Sequence, residues 1–459
     1  MNSMPVAAFR ALLLLSVASL APWPSFAEDV KKAPLYARVK AALDAVPAID
    51  THDHLRPFED IPGLDETDKG RGMTLHSIWQ GSYYTWINPL SSWPAGTSFD
   101  EWWRRAEHDF DDARATSFYR YLLPAFRDLY GVDFDTINAK QASELDDQIF
   151  ENYQDPAWIH EVVKKRANIE LMLIDTHWAP YDFVQEYPFG VSVFNVNSLI
   201  QGFHPDRCPE GLKSPYTYAR KRELNVGTFD DYLALAERMF EDASAAGAAC
   251  PKCTLAYQRS LSFDKVSKEE AARAFGRRPD EVPPQQAKAF EDFLFGKVCD
   301  LAARHGMPFQ IHTGWGRIQG SNPLLLVDAI EAHPETTFIL FHGGFPWIGE
   351  TGVIGKRYAH NVRIDFNWLP ILSYSTSKRA LHEWLEVMPS NHLMWGGDCA
   401  SAEGIYGATR VTRDCIAEVL AEKVAAGQLR EEHALHIGQQ ILRDNALETF
   451  PKLRRLTAK

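Results

Sequence analysis

The chain has 459 residues, of which 45% are hydrophobic, 24% charged and 12% aromatic; these are the proportions of a folded globular protein and exclude a disordered, collagen-like or coiled-coil chain. Its 48 Lys and Arg against 61 Asp and Glu leave a formal charge of −13, which argues against nucleic acid or an anionic membrane as the main partner. The length fits either a few domains of about 150 residues each or one barrel that carries insertions.

Residues 1–27 read as a cleavable secretory signal. Arg10 supplies the positive charge, and Ala11 to Ala21 is an apolar run too short to cross a bilayer, which takes roughly 20 residues. Pro22-Trp23-Pro24 breaks the helix, and Ser25-Phe26-Ala27 places small residues before the cut. The mature protein, 28–459, is therefore expected to be exported to the periplasm and to have no membrane span. Its six cysteines are sparse for a disulfide scaffold. Cys250-Pro-Lys-Cys253 lacks the second pair that a structural zinc site needs, so a local disulfide or free thiols are expected there.

Downstream, short apolar runs alternate with helical stretches. The runs are Ala48 to His52, Ile169 to Asp175, Val191 to Leu199, Cys253 to Tyr257, Pro308 to His312, Thr337 to His342, Val362 to Phe366 and His392 to Gly396. Near-continuous apolar strands between helices predict a parallel sheet buried on both faces. Eight of them predict an α/β fold of the (β/α)8 TIM-barrel type. The first two runs are separated by an aromatic-rich stretch that includes Trp79, Tyr83, Trp86, Trp102 and Trp103. We read 58–164 as a helical insertion after strand 1 that lies over the barrel mouth, where loops following strands open.

Four strand ends carry polar residues. Asp50-Thr51-His52-Asp53-His54 puts both imidazoles on one face, because alternate strand residues share a face. His312 ends strand 5 and is followed by Thr313-Gly314; His342 ends strand 6 and is followed by Gly343-Gly344; Gly396-Gly397-Asp398 ends strand 8. In a barrel these converge on one mouth, and three imidazoles with a carboxylate suit Zn²⁺ or a similar divalent ion.

The set Ile49-Asp50-Thr51-His52-Asp53-His54-Leu55, Ile311-His312-Thr313-Gly314, Phe341-His342-Gly343-Gly344 and Gly396-Gly397-Asp398 resembles the amidohydrolase superfamily, in its amidohydrolase-related (amidohydrolase 2) branch of TIM-barrel metal-dependent hydrolases. The resemblance runs from about Ala48 to Leu447 and does not cover the aromatic insertion. It implies His52, His54, His312 and Asp398 as metal ligands, with Asp398 and His342 catalytic. Binuclear relatives bridge two ions with a carboxylated Lys or a Glu from the end of strand 4. Lys252 falls near the start of that predicted strand, so one divalent ion, zinc for preference, is expected. The implied reaction is attack of a metal-activated water on an amide, lactone or ester, with Asp398 taking and returning a proton. The alternatives within the resemblance are a decarboxylase and an isomerase like uronate isomerase, against which His342 counts.

Tyr257 and Arg259 after strand 4, and Trp315 and Arg317 after His312, are candidate substrate contacts; an Arg there would clamp a carboxylate. The expected partner is a small-molecule substrate, with no nucleic acid and no membrane, and the oligomeric state is left open.

Overall fold

The computed structural model describes residues 30–67, 69–183, 185–208 and 213–457; the signal read at 1–27 lies outside them. Eight strands form one parallel sheet: β1 Ala48–Asp53, β2 Ile169–Asp175, β3 Gly190–Asn195, β4 Cys250–Cys253, β5 Phe309–Ile311, β6 Phe338–Leu340, β7 Val362–Asp365 and β8 Leu393–Met394. Each is hydrogen-bonded to the next in sequence. Beyond the ladder, Thr51 N donates to the Trp395 carbonyl at 3.2 Å and Asp398 N to the His52 carbonyl at 2.8 Å, which brings β8 beside β1 and nearly closes the barrel. Every residue of β1, β4, β5, β6 and β8 is buried, as strands covered by helices outside and packed side chains inside must be. Ile49, Leu171, Leu173, Val191, Val193, Ile339 and Met394 meet in the barrel interior.

The outer helices start and stop where their ends are satisfied locally. Phe229–Ala246 opens on a capping box between Thr228 and Asp231 and ends on Gly247 at φ 94°, a left-handed position that costs glycine nothing. Among the described residues no helix is long and apolar enough to cross a membrane.

Two strands are displaced from their expected places. The run from Val191 yields a strand only to Asn195, followed by the helix Asn197–Gln201. The Asn195 side chain accepts from Asn197 N at 3.2 Å and turns the chain. The fourth strand is Cys250–Cys253, and the expected Cys253 to Tyr257 is mostly a single tight turn, Leu255–Tyr257. Thr254 N is captured by Asn197 Oδ1 at 2.8 Å, so no ladder continues there. The shift moves Lys252 from the start of a strand to its C-terminal end. Cys250 and Cys253 are buried free thiols and form no local disulfide.

The segment 58–164 packs short helices around Trp79, Trp102, Trp103, Phe110, Phe126 and Phe134, and the same apolar cluster takes in Trp368, Cys399, Ala402 and Ile405 from beyond β7 and β8. Its second anchor is Glu403, in the helix Ala402–Ala425. This buried carboxylate accepts from Tyr130 Oη at 2.6 Å, Tyr153 Oη at 2.8 Å and Trp158 Nε1 at 3.3 Å.

Candidate metal centre

His52 lies inside β1 and His54 one residue beyond it, and their rings stand 4.9 Å apart and nearly perpendicular. Asp53 points the other way, accepting from Cys399 N at 2.5 Å beside Asp50. Asp398 meets the imidazole pair: Oδ1 is 3.1 Å from His54 Nε2 and 3.8 Å from His52 Nε2. Burial alone would raise the Asp398 carboxyl, but the His54 hydrogen bond and the neighbouring imidazoles hold it well below the usual range. His54 is correspondingly raised. His52 is kept neutral by burial and by the nearby Lys252.

The glycines before Asp398 have a steric reason. A Cβ on Gly396 would come within 2.9 Å of His52 N, and one on Gly397 within 3.0 Å of Asp53 Oδ1, so only Gly-Gly lets β8 lie against the buried carboxylates of β1. Asp398, His342 and Trp368 all adopt left-handed backbone conformations, with φ of 60°, 60° and 63°. Side-chain-bearing residues are rarely held there except where the surroundings fix them, as at functional sites.

His312 and His342 reach the same cavity but face each other: His342 Nε2 lies 2.8 Å from His312 Nδ1, and His312 Nε2 is 2.6 Å from the Trp315 carbonyl. That carbonyl can only accept, so Nε2 of His312 carries the hydrogen and Nδ1 the lone pair. To ligate an ion through Nδ1, His312 must release His342. His342 Nδ1 is 3.7 Å from Asp398 Oδ2, and its main-chain N donates to Asn367 Oδ1 at 3.1 Å.

The sequence reading missed Asp175. It ends β2, and one of its oxygens lies within 4.8 Å of ligand atoms of both His52 and His54. Asn195 Nδ2 holds it at 3.2 Å. Its signal was the one used for Asp398, an acid closing an apolar strand. Lys252 is the second revision. At the end of β4 it lines the cavity with His52, His54, His312, His342 and Asp398, so the ground for expecting a single ion no longer holds. Burial lowers the Lys252 ammonium to about 8 against the pull of Asp398, Asp175 and Asp365.

Of the four candidate substrate contacts, Tyr257 lines the cavity, its ring 4.4 Å from that of His312. Trp315 lies outside the cavity lining, its ring 6.4 Å from that of Trp368. Arg259 is spent elsewhere: it binds Glu291 at 3.0 Å and Asp292 at 2.5 Å in a buried ion pair. Arg317 ties down the loop after β4, donating from its main-chain N to the Ala256 carbonyl at 3.0 Å and from Nη1 to the Gln258 carbonyl at 2.9 Å. The insertion contributes Tyr83 and Trp86 to the cavity wall.

The donor set fits a divalent cation. His52, His54 and Asp175 offer two nitrogens and an oxygen within one ion's reach, and Asp398 adds a carboxylate already bonded to His54. His52 Nδ1, fully buried, has no hydrogen-bond partner among the described residues.

Residues 203–452 match the sequence family described as Amidohydrolase. A 213-residue stretch is 28% identical to Protein fluG of Emericella nidulans, covering 42% of this chain and only 24% of that protein. Among solved structures, a glucuronate isomerase from Caulobacter crescentus superposes with a TM-score of 0.71 at 18% identity, covering 93% of this chain and 97% of its own. A Lactobacillus casei protein described as a metal-dependent hydrolase superposes with a TM-score of 0.63 at 16% identity, covering 91% and 98%. The barrel, the strand-end histidines and carboxylates and the family match over more than half the sequence agree: the chain belongs to the amidohydrolase family of metal-dependent enzymes.

Proposed function

We propose that the protein is a metal-dependent hydrolase that directs water onto an amide, lactone or ester carbonyl. One observation carries this reading: Asp398 Oδ1 sits 3.1 Å from His54 Nε2 and 3.8 Å from His52 Nε2, a carboxylate poised both to help hold a cation and to take a proton beside it. His52, His54, Asp398 and Asp175 would hold the ion, with His312 joining when it releases His342. A divalent ion there supplies Lewis acidity that brings the pKa of a water from about 15.7 toward 7.

The chain's own groups supply the remainder. Asp398, kept ionised, accepts the proton from water at a carboxylate oxygen and returns it to the leaving group. His342, its Nδ1 3.7 Å from Asp398 Oδ2, stands beside that carboxylate, where it would orient the attacking water or polarise the carbonyl. Trp368, Tyr83 and Trp86 give the cavity an apolar wall. We place the protein outside the cytoplasm on residues 1–27; a mature N-terminus at Glu28 is the expected sequencing result.

The test is a substrate screen of the zinc-, cobalt- and manganese-loaded protein against amides, lactones and esters, with carbon dioxide release and uronate isomerisation followed in parallel. Hydrolysis that is abolished by a chelator and restored by metal is expected. Turnover only in the decarboxylation or isomerisation assay would replace the hydrolase reading with one of those. At 18% identity the glucuronate isomerase shares the fold and brings no reaction with it.

A further inference from the structure

The cavity has two compartments that meet at His54, Asp398, Tyr83 and Trp86. The smaller, about 190 Å³, is completed by small or uncharged groups such as Ser82, Ser401, Gly404 and Tyr121. The larger, about 250 Å³, is built differently. Tyr257 and Trp368 line it, and Trp86 stands 5.8 Å from Trp368. Lys252 belongs to the same lining and is 1% exposed. Its Nζ lies over the Phe341 ring at 3.4 Å and has no hydrogen-bond acceptor among the described residues. A buried ammonium that lacks an acceptor is unfavourable, and such groups are retained where a ligand completes them. The chemistry that completes a buried ammonium in a cavity also lined by aromatic side chains is an anionic group on a flat framework.

We propose that the larger compartment binds a planar group bearing an anionic substituent, its carboxylate on Lys252 Nζ and its ring against Tyr257 and Trp368, and that the smaller compartment receives the small uncharged partner across the scissile bond. This deepens the hydrolase reading and rests on this cavity being the substrate site. The volume suits a single ring and not a drug-sized molecule.

The probe is benzoate, with benzamide as its neutral counterpart of the same shape, titrated into the as-purified protein in bicarbonate-free buffer and followed by tryptophan fluorescence. Benzoate is expected to bind at least about tenfold tighter than benzamide, as a charge-assisted hydrogen bond should give. Lys252→Met should remove that preference and leave benzamide within about twofold, since a neutral ligand has no ion pair to lose. Tyr257→Leu, at a position 41% exposed, should weaken both ligands together. Ala400→Phe, which fills the smaller compartment, should leave benzoate in place. Equal affinity for benzoate and benzamide overturns the proposal. So does a folded Lys252→Met that keeps the benzoate preference, or loss of benzoate in Ala400→Phe. A carbon dioxide adduct on Lys252 in intact mass also overturns it, because a carbamate would be an anion. If Lys252→Met does not fold, Lys252→Gln, which keeps a polar end and loses the charge, is read in its place, and equal affinity of the wild type for the two ligands still overturns the proposal. Binding is read without turnover, so a protein that hydrolyses nothing yet discriminates benzoate refutes only the hydrolase reading.

Discussion

Tyr83 Oη donates a hydrogen bond to the main-chain oxygen of Asp398 at 2.5 Å, joining residues 315 positions apart in the chain. Asp398 N is fixed at the same time by the His52 carbonyl at 2.8 Å. Both ends of this residue are thus pinned, which is how its left-handed backbone at φ 60° is sustained. One of the pins comes from the aromatic insertion, so that segment helps aim the carboxylate on which the site depends. The Tyr83 ring also packs on Phe118 at 5.4 Å and on Trp368 at 5.2 Å, which holds the phenol in place.

Tyr83→Phe keeps those ring contacts and deletes only the hydroxyl. The expected loss of stability is about 1 kcal/mol, the net worth of one hydrogen bond, read as a lower urea midpoint. Turnover should fall while metal content stays at the wild-type level, because every ligand atom remains. Undiminished turnover would show that the anchor on Asp398 is unimportant to the chemistry.

His54→Ala removes the imidazole closest to Asp398 and one of the two imidazoles clustered with Asp175. Both bound metal, measured by elemental analysis, and turnover should be lost. Full retention of either contradicts the centre described here.

Asp365, beneath the site, is raised to about 7, burial outweighing the hydrogen bonds from Thr51 and Asn367 N. Its unfolded value is about 3.9, so between roughly pH 4 and 7 the folded state holds more protons than the unfolded one. This group's contribution to stability therefore falls as pH rises through that window and is constant above it. Asp365→Asn cannot titrate. Its melting temperature relative to wild type should climb from pH 4 to 7 and then level off, any fixed cost of the substitution cancelling in the difference. A difference that stays flat or declines across the window contradicts the raised carboxyl.

Glu403 satisfies three aromatic donors from the insertion. Glu403→Leu leaves Tyr130, Tyr153 and Trp158 without their acceptor, and a buried unmet donor costs about 1–3 kcal/mol. Glu403→Gln keeps one acceptor oxygen and should cost less. The two urea midpoints should rank wild type above Gln above Leu; Leu at or above Gln would mean the carboxylate contributes nothing to docking the insertion.

The residues that announced themselves did so because barrel strands impose a simple code. Apolar runs such as Ile169–Asp175 have one buried environment available, and a polar residue at their C-terminal end faces the mouth. The same code could have flagged Asp175, and it failed for Lys252 because the strand boundary was set three residues late. That boundary depended on Thr254 N bonding to Asn197 Oδ1 from a different part of the chain, a contact that periodicity does not encode. Arg259 failed for a related reason: a cation after a strand looks the same in sequence whether it meets a substrate or, as here, Glu291 and Asp292.

What the sequence determined by itself was the barrel and the identity of His52, His54, His312, His342 and Asp398, because strand period and burial act over neighbouring residues. Which of those side chains touch, that His312 pairs with His342 while Asp175 joins the first pair, and that Tyr83 reaches Asp398, was decided by tertiary structure, because hydrogen bonds a few ångströms long between distant segments form only once the sheet has curled round on itself.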